Sequence, residues 1–302
     1  MVSANSKPYL VAEIGLNHNK DMKLAADLIA AAAEAGADAV KFQSYTTELF
    51  VNSAVEKAKI LVDIFSEYEL TVDEHQQLKA LADKNKIDFF STPLTLDWPA
   101  RLAELKVDFF KVASGDLNNY ALLLELLKYE VPLIVSTGAS AAEDIKASIN
   151  FIQERGRTDC IYLHCVSLYP TAPEKAKLAT IGWLAEQTGG LTGFSDHTDG
   201  VEAALAAAAL GARVIEKHFT LDHDLPGPDH KISATPEQLQ EIRRLADLGF
   251  AMRGEARKEP WPEEAAGDFF GKRSLYEIDG QLVPMRPRQP HLPKDSDFLN
   301  LS

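Results

Sequence analysis

The chain has 302 residues, 46% hydrophobic and 25% charged, enough to bury the core of one large domain or two modest ones. Its 31 basic and 45 acidic residues leave a formal net charge of −14, which argues against nucleic acid or an anionic membrane as partner. No apolar run reaches the roughly 18 residues needed to span a bilayer, and Met1–Pro8 lacks the apolar stretch of a signal peptide. A cytoplasmic protein is expected. The two cysteines, Cys160 and Cys165, fall in one predicted strand, about 16 Å apart on opposite faces, too far for a disulfide.

Short apolar runs then alternate with longer helical patterns along the chain. Strand Tyr9–Ile14 precedes a helix over Met22–Ala35. Strand Ala39–Ser44 opens a long connection, Thr46–Leu70, with a helical stretch around Val55–Phe65; a connection of that length suits a lid or binding loop. The pattern continues with helix Val72–Lys84, strand Asp88–Ser91, helix Leu96–Leu105, strand Phe109–Ala113 and helix Tyr120–Tyr129. Strand Pro132–Ser136, helix Ala141–Glu154, strand Ile161–Cys165 and helix Pro173–Gln187 follow. Strand Thr192–Ser195, helix Gly200–Leu210, strand Arg213–Lys217 and helix Pro236–Met252 complete it.

Eight βα units in about 250 residues, several strands being apolar on both faces, predict a closed (β/α)8 TIM barrel over residues 1–270. A doubly wound open sheet is the weaker reading, because Gly15-Leu16-Asn17-His18-Asn19 lacks the GxGxxG spacing after the first strand. Residues 271–302 are expected to form a short extended tail, since its prolines between Pro284 and Pro293 forbid a helix.

In such a barrel the chemistry belongs at the C-terminal strand ends. Glu13 closes the first strand; Lys41 and Gln43 share one face of the second; Thr92 ends the third. Lys111 and Ser114 end the fourth strand and Ser136 the fifth, while Ser195 and His197 end the seventh and His218 the eighth. Any one lysine here has a bland reading as an ion-pair partner, with Glu216 available to Lys41 or Lys111. Two lysines and several hydroxyls at one mouth point instead to a multiply charged oxyanion such as a phosphate ester. His197 and His218 end neighbouring strands about 4.8 Å apart, close enough to share a divalent metal, and equally able to bond to nearby backbone.

The segments Ala12-Glu13-Ile14-Gly15-Leu16-Asn17-His18-Asn19, Val40-Lys41-Phe42-Gln43 and Lys111-Val112-Ala113-Ser114-Gly115-Asp116 resemble the N-acetylneuraminate (sialic acid) synthase family. So do Ser195-Asp196-His197-Thr198, Glu216-Lys217-His218-Phe219-Thr220 and Pro226-Gly227-Pro228-Asp229-His230, in the family's order. The resemblance implies an enzyme joining phosphoenolpyruvate to an N-acetylmannosamine-like sugar aldehyde, giving a 2-keto-3-deoxy sugar acid and phosphate. It assigns phosphoenolpyruvate to Lys41, Thr92, Lys111, Ser114, Ser136 and Ser195, and the sugar to Glu13, Gln43, Tyr169 and Asp229. His197 and His218 would hold a divalent metal, Mn2+ or Mg2+, and Asp116, Glu13 and Lys111 would serve catalysis. The chain departs from the family at Asp116, where glutamate is usual, and at Ser167, where asparagine is familiar. Past Lys272-Arg273-Ser274-Leu275 it also departs from the family's antifreeze-like domain. A homodimer is expected, with the Pro-rich arm carrying Arg286 and Arg288 lying on the second copy. Sibling readings are a legionaminate, pseudaminate or spore-coat-type synthase or one using a phosphorylated sugar; a non-catalytic sugar-binding barrel is the reading from another class.

Overall fold

A strand apolar on both faces needs a packed layer on each side, and a ring of strands sheathed in helices supplies both. The computed structural model describes residues 2–294 and divides the chain into two units, Met1–Gly254 and Glu255–Ser302. In the first unit eight parallel strands pair in chain order and close on themselves. They are β1 (Tyr9–Gly15), β2 (Ala39–Ser44), β3 (Asp88–Pro93), β4 (Phe110–Val112), β5 (Leu133–Ser136), β6 (Ile161–Cys165), β7 (Thr192–Asp196) and β8 (Val214–His218). β8 returns to β1, setting Tyr9 against Val214 and Glu13 against His218. That pairing makes the expected (β/α)8 barrel and excludes the open sheet.

The intervening helices are α1 (Met22–Glu34), α2 (Thr47–Phe50), α3 (Lys59–Tyr68), α4 (Val72–Asn85), α5 (Trp98–Glu104), α6 (Tyr120–Leu126), α7 (Ala142–Gln153), α8 (Thr180–Thr188), α9 (Glu202–Ala209) and α10 (Pro236–Arg253). Leu10, Phe42, Phe89, Phe110 and Phe194 are buried with the helices' apolar stripes, including Leu28 and Ile29 of α1 and Leu239 and Ile242 of α10. Their alternate neighbours on the strands supply the inward-facing set that carries the site. Helix starts are chemically specified: Thr71 and Glu74 form a capping box on α4, and Thr235 with Gln238 forms one on α10 behind Pro236. α4 is further pinned by a buried polar chain. His75 bonds through one ring nitrogen to the Thr71 carbonyl (2.9 Å) and through the other to the Ser44 hydroxyl (2.7 Å), which meets Ser91 at 2.6 Å.

Gly15 is the one strand-end residue that requires glycine. Its φ is +54°, the β1–β2 register shifts there, and an added Cβ would stand 3.1 Å from Glu13 Oε1. The expected single helix over Pro173–Gln187 is instead a 3-10 turn, Pro173–Lys175, followed by α8, because Lys177 adopts φ +47° and interrupts the helical run. The Thr46–Leu70 connection holds α2, a 3-10 turn over Glu56–Ala58 and α3, so the helical stretch expected around Val55–Phe65 is present and runs on to Tyr68.

The second unit corrects the domain boundary and the extended tail. It starts at Glu255, and its described part contains α11 (Ala265–Gly271) and an antiparallel hairpin, β9 (Ser274–Ile278) with β10 (Gln281–Met285). The hairpin signal stood in the sequence: two runs joined by Asp279-Gly280, whose positive φ values of 52° and 77° fit a two-residue hairpin turn. The Pro-rich segment bonds within its own unit, with Tyr276 donating to the Pro287 carbonyl (2.6 Å) and Arg288 to Asp268 (3.0 Å). Among the described residues no helix is long and apolar enough to cross a membrane.

Candidate active site

The inward residues at the C-terminal strand ends surround a cavity of about 480 Å³. Its floor is a buried charge cluster. Lys41 Nζ lies 2.8 Å from Glu13 Oε2 and 3.6 Å from Glu216 Oε2, and donates to Thr92 Oγ1 at 3.1 Å. Lys111 donates to Ser136 Oγ (2.7 Å) and stands 3.9 Å from Glu216 Oε1, which also accepts from Ser195 Oγ (2.9 Å). Ser114 Oγ accepts from the Gly138 amide at 3.0 Å.

Two ammoniums and two carboxylates thus share one nearly dry volume, and each sets its neighbours' protonation. Burial alone would raise the Glu216 carboxyl, but Lys111 and Lys41 more than offset it and hold Glu216 well below the usual range. Glu13 moves the other way: burial raises it, Lys41 opposes, and the adjacent Glu216 charge adds to the rise. Lys41 answers to both carboxylates, so its own value is raised despite burial, whereas burial lowers Lys111. Glu216 is the carboxylate whose charge the lysines secure, and Glu13 is the one left ready to take a proton.

Above the floor, His197 and His218 face each other with ring centroids 5.5 Å apart. His197 donates from Nδ1 to the Val166 carbonyl (2.9 Å), which leaves Nε2 as its unprotonated nitrogen. His218 Nδ1 is buried without a hydrogen-bond partner, and the nearest acid, Asp229 Oδ2, is 3.9 Å away. Burial first, then the neighbouring His197, lowers His218 to about 3, so its imidazole is neutral. Tyr169 packs against His197 with ring centroids 4.1 Å apart and planes inclined by 41°, and, with Gln43, Leu94, Pro228, Asp229 and Ile232, builds the outer wall. Gln43 Nε2 donates to Glu13 Oε1 at 3.4 Å.

The structure brings together every site residue expected from the sequence except Asp116. That residue sits in a 3-10 turn, Ser114–Asp116, where its carboxylate accepts from Asn119 (3.0 Å); Ser114 and Gly115 line the cavity and Asp116 does not. The central role of Glu216, bridging both lysines, was only half visible as a possible ion-pair partner of one. The signal was its place two residues before His218, hence on the same face of β8. Cys165, Leu94, Pro228 and Ile232 also line the cavity.

Opposed buried charges and paired imidazoles at the C-terminal mouth of a (β/α)8 barrel define a barrel enzyme. The sequence profile of the NeuB family matches residues 28–258. N,N'-diacetyllegionaminic acid synthase of Campylobacter jejuni is 37% identical over 248 residues, 78% of this chain and 74% of that protein. Human N-acetylneuraminate-9-phosphate synthase is 32% identical over 291 residues, 92% of this chain and 81% of that one. The crystal structure of the N-acetylneuraminic acid synthetase of Leptospira borgpetersenii serovar Hardjo-bovis, solved with citrate, superposes with a TM-score of 0.82. It is 34% identical and covers 87% of this chain and 90% of its own. The chain belongs to the NeuB family.

Proposed function

We propose that the barrel condenses phosphoenolpyruvate with an uncharged, N-acetylmannosamine-like sugar aldehyde, giving a 2-keto-3-deoxy sugar acid and phosphate. The observation that carries this reading is the cavity floor, where Lys41 and Lys111 stand buried among Thr92, Ser114, Ser136 and Ser195 beside two neutral imidazoles. The ammoniums and hydroxyls are donors for the phosphate and carboxylate of phosphoenolpyruvate. Glu13, Gln43, Tyr169 and Asp229 offer the acceptors and the flat apolar face that suit a sugar's hydroxyls.

Chemically, C3 of phosphoenolpyruvate attacks the aldehyde carbon, forming the new C–C bond. Water adds at C2, and the C2–O bond to phosphate breaks. Lys111 and Lys41 favour the departing phosphate because their charge is fixed in place beforehand, in a volume that excludes bulk water. Glu13, raised by burial, is the carboxyl placed to exchange a proton at the cavity, either with the new alkoxide or with the incoming water. Asp116 does not line the cavity, though its carboxyl lies within reach of the Lys111 charge.

His197 and His218 fit one divalent ion, Mn2+ or Mg2+: each has a nitrogen not engaged in a hydrogen bond, and the His218 Nδ1 is buried and unpaired. Among the described residues no third His, Cys, Asp or Glu completes a protein-only cage, so water and substrate oxygens would fill the other positions. When bound, such an ion polarises the aldehyde oxygen as a Lewis acid. The acceptor is taken as unphosphorylated because, among the described residues, Lys41 and Lys111 are the only Lys or Arg side chains lining the cavity, and both lie at its floor. The reading is tested by phosphate release from phosphoenolpyruvate across a panel of N-acylated, plain and 6-phosphorylated aldoses, with and without Mn2+. Release is expected with N-acylated neutral aldoses and metal; no release with any aldose would contradict it.

A further inference from the structure

Lys217 lies between two cavity residues, Glu216 and His218, yet neither it nor its partner Asp196 lines the cavity. The two are register partners on β8 and β7, their side chains 3% and 1% exposed, with Lys217 Nζ 3.0 Å from Asp196 Oδ2. Lys217 also donates to the Thr198 carbonyl. The second oxygen of Asp196 accepts from the Thr198 amide (2.8 Å) and the Thr198 hydroxyl (2.7 Å). His197 therefore sits inside a closed ring of bonds from residues 196 and 198 to the side chain preceding His218. The ring continues outward: Thr171 donates its amide to the His197 carbonyl (2.7 Å) and bridges Thr198, two residues from Tyr169, whose ring packs at a tilt against His197.

We propose that Lys217 and Asp196 are positioning residues that set the spacing of the His197–His218 pair, and with it the Tyr169 wall, from behind the cavity. The inference rests on the two-histidine metal reading above. A buried ion pair is a poor source of net stability, since apolar replacement of both members is often neutral, so its value here is geometric. Imidazoles that must share one ion tolerate little change in separation, and groups outside the ligand set that orient ligands commonly change metal affinity ten- to a hundredfold.

The test uses the full chain with Mn2+ as probe, its affinity read from the free-ion electron paramagnetic resonance signal, phosphoenolpyruvate affinity by calorimetry, and the thermal midpoint. His197→Ala serves as control for the metal reading. The double variant Asp196→Leu/Lys217→Met should keep its midpoint within a few degrees and its phosphoenolpyruvate affinity within about twofold, while Mn2+ binding weakens at least tenfold. Thr198→Val, close in shape, removes one bond of the ring and should weaken Mn2+ severalfold; it decides the matter if the double variant does not fold. Unchanged Mn2+ affinity in a folded variant, with wild type binding and His197→Ala not, overturns the positioning role alone. No Mn2+ binding by wild type overturns the metal reading and this inference with it.

Discussion

Lys41 and Lys111 face two buried carboxylates, so an arriving anion must displace or share charge that is already compensated. Removing either lysine leaves Glu216 less compensated and takes a charge-assisted donor from the anion. Lys41→Met and Lys111→Met should each weaken phosphoenolpyruvate binding by about 1.5–3 kcal/mol, roughly ten- to a hundredfold, in calorimetric titration. Equal affinity in both folded variants would remove the lysines from the donor site. These residues were legible in the sequence because two lysines and several hydroxyls fall together at the strand ends of one mouth, where a single lysine would have read as an ion-pair partner. The direction of Asp116 was not, because it depends on a local contact with Asn119 that the same side chain three residues on could make or decline. A carboxylate in a turn carries no periodicity from which its direction can be read.

At the scale of elements, strand positions and order were readable from the alternation of apolar runs, and the strands begin and end within about two residues of the expected places. What alternation cannot express is a break inside one apolar stretch, as at Lys177, or a pairing whose prolines suggest something else, as in β9–β10. Two predictions belong here. Gly193 of β7 packs so closely that an added Cβ would stand 2.6 Å from Leu163 Cδ2 and press on the Val214 carbonyl of β8. Gly193→Ala should therefore cost roughly 2 kcal/mol in urea unfolding; an unchanged midpoint would mean that the barrel wall yields there. The second prediction concerns His75, which burial lowers from near 6.5 to about 4. The unfolded chain takes up this proton before the native state does, so stability present above pH 6.5 is lost as pH falls toward 4, by up to about 3 kcal/mol. His75→Leu, compared at pH 7 and pH 4.5, should start less stable and show a shallower loss. A slope identical to wild type would place the acid sensitivity elsewhere, in His18 or other buried groups.

For the molecule as a whole, the closed barrel followed from counting eight βα units in about 250 residues and from the missing GxGxxG spacing after the first strand. The second unit was not legible as folded, and its described residues Trp261 and Phe270 are 73% and 67% exposed. The dimer expected from the sequence rests on the Pro-rich arm that carries Arg286 and Arg288. Light scattering should therefore give about 66 kDa, twice the chain mass of 33.2 kDa, and deletion of residues 284–302 should return it to one chain mass. The same mass for both proteins would set aside the dimer held by this arm. One measurement separates condensation of phosphoenolpyruvate from its hydrolysis. The enzyme is incubated in 18O-water with Mn2+, phosphoenolpyruvate and a neutral N-acylated aldose, and the products are weighed by mass spectrometry. Condensation gives a sugar acid with the mass of acceptor plus phosphoenolpyruvate plus labelled water minus phosphate, and phosphate released without label. Pyruvate together with 18O-labelled phosphate, and no condensed product, would contradict it.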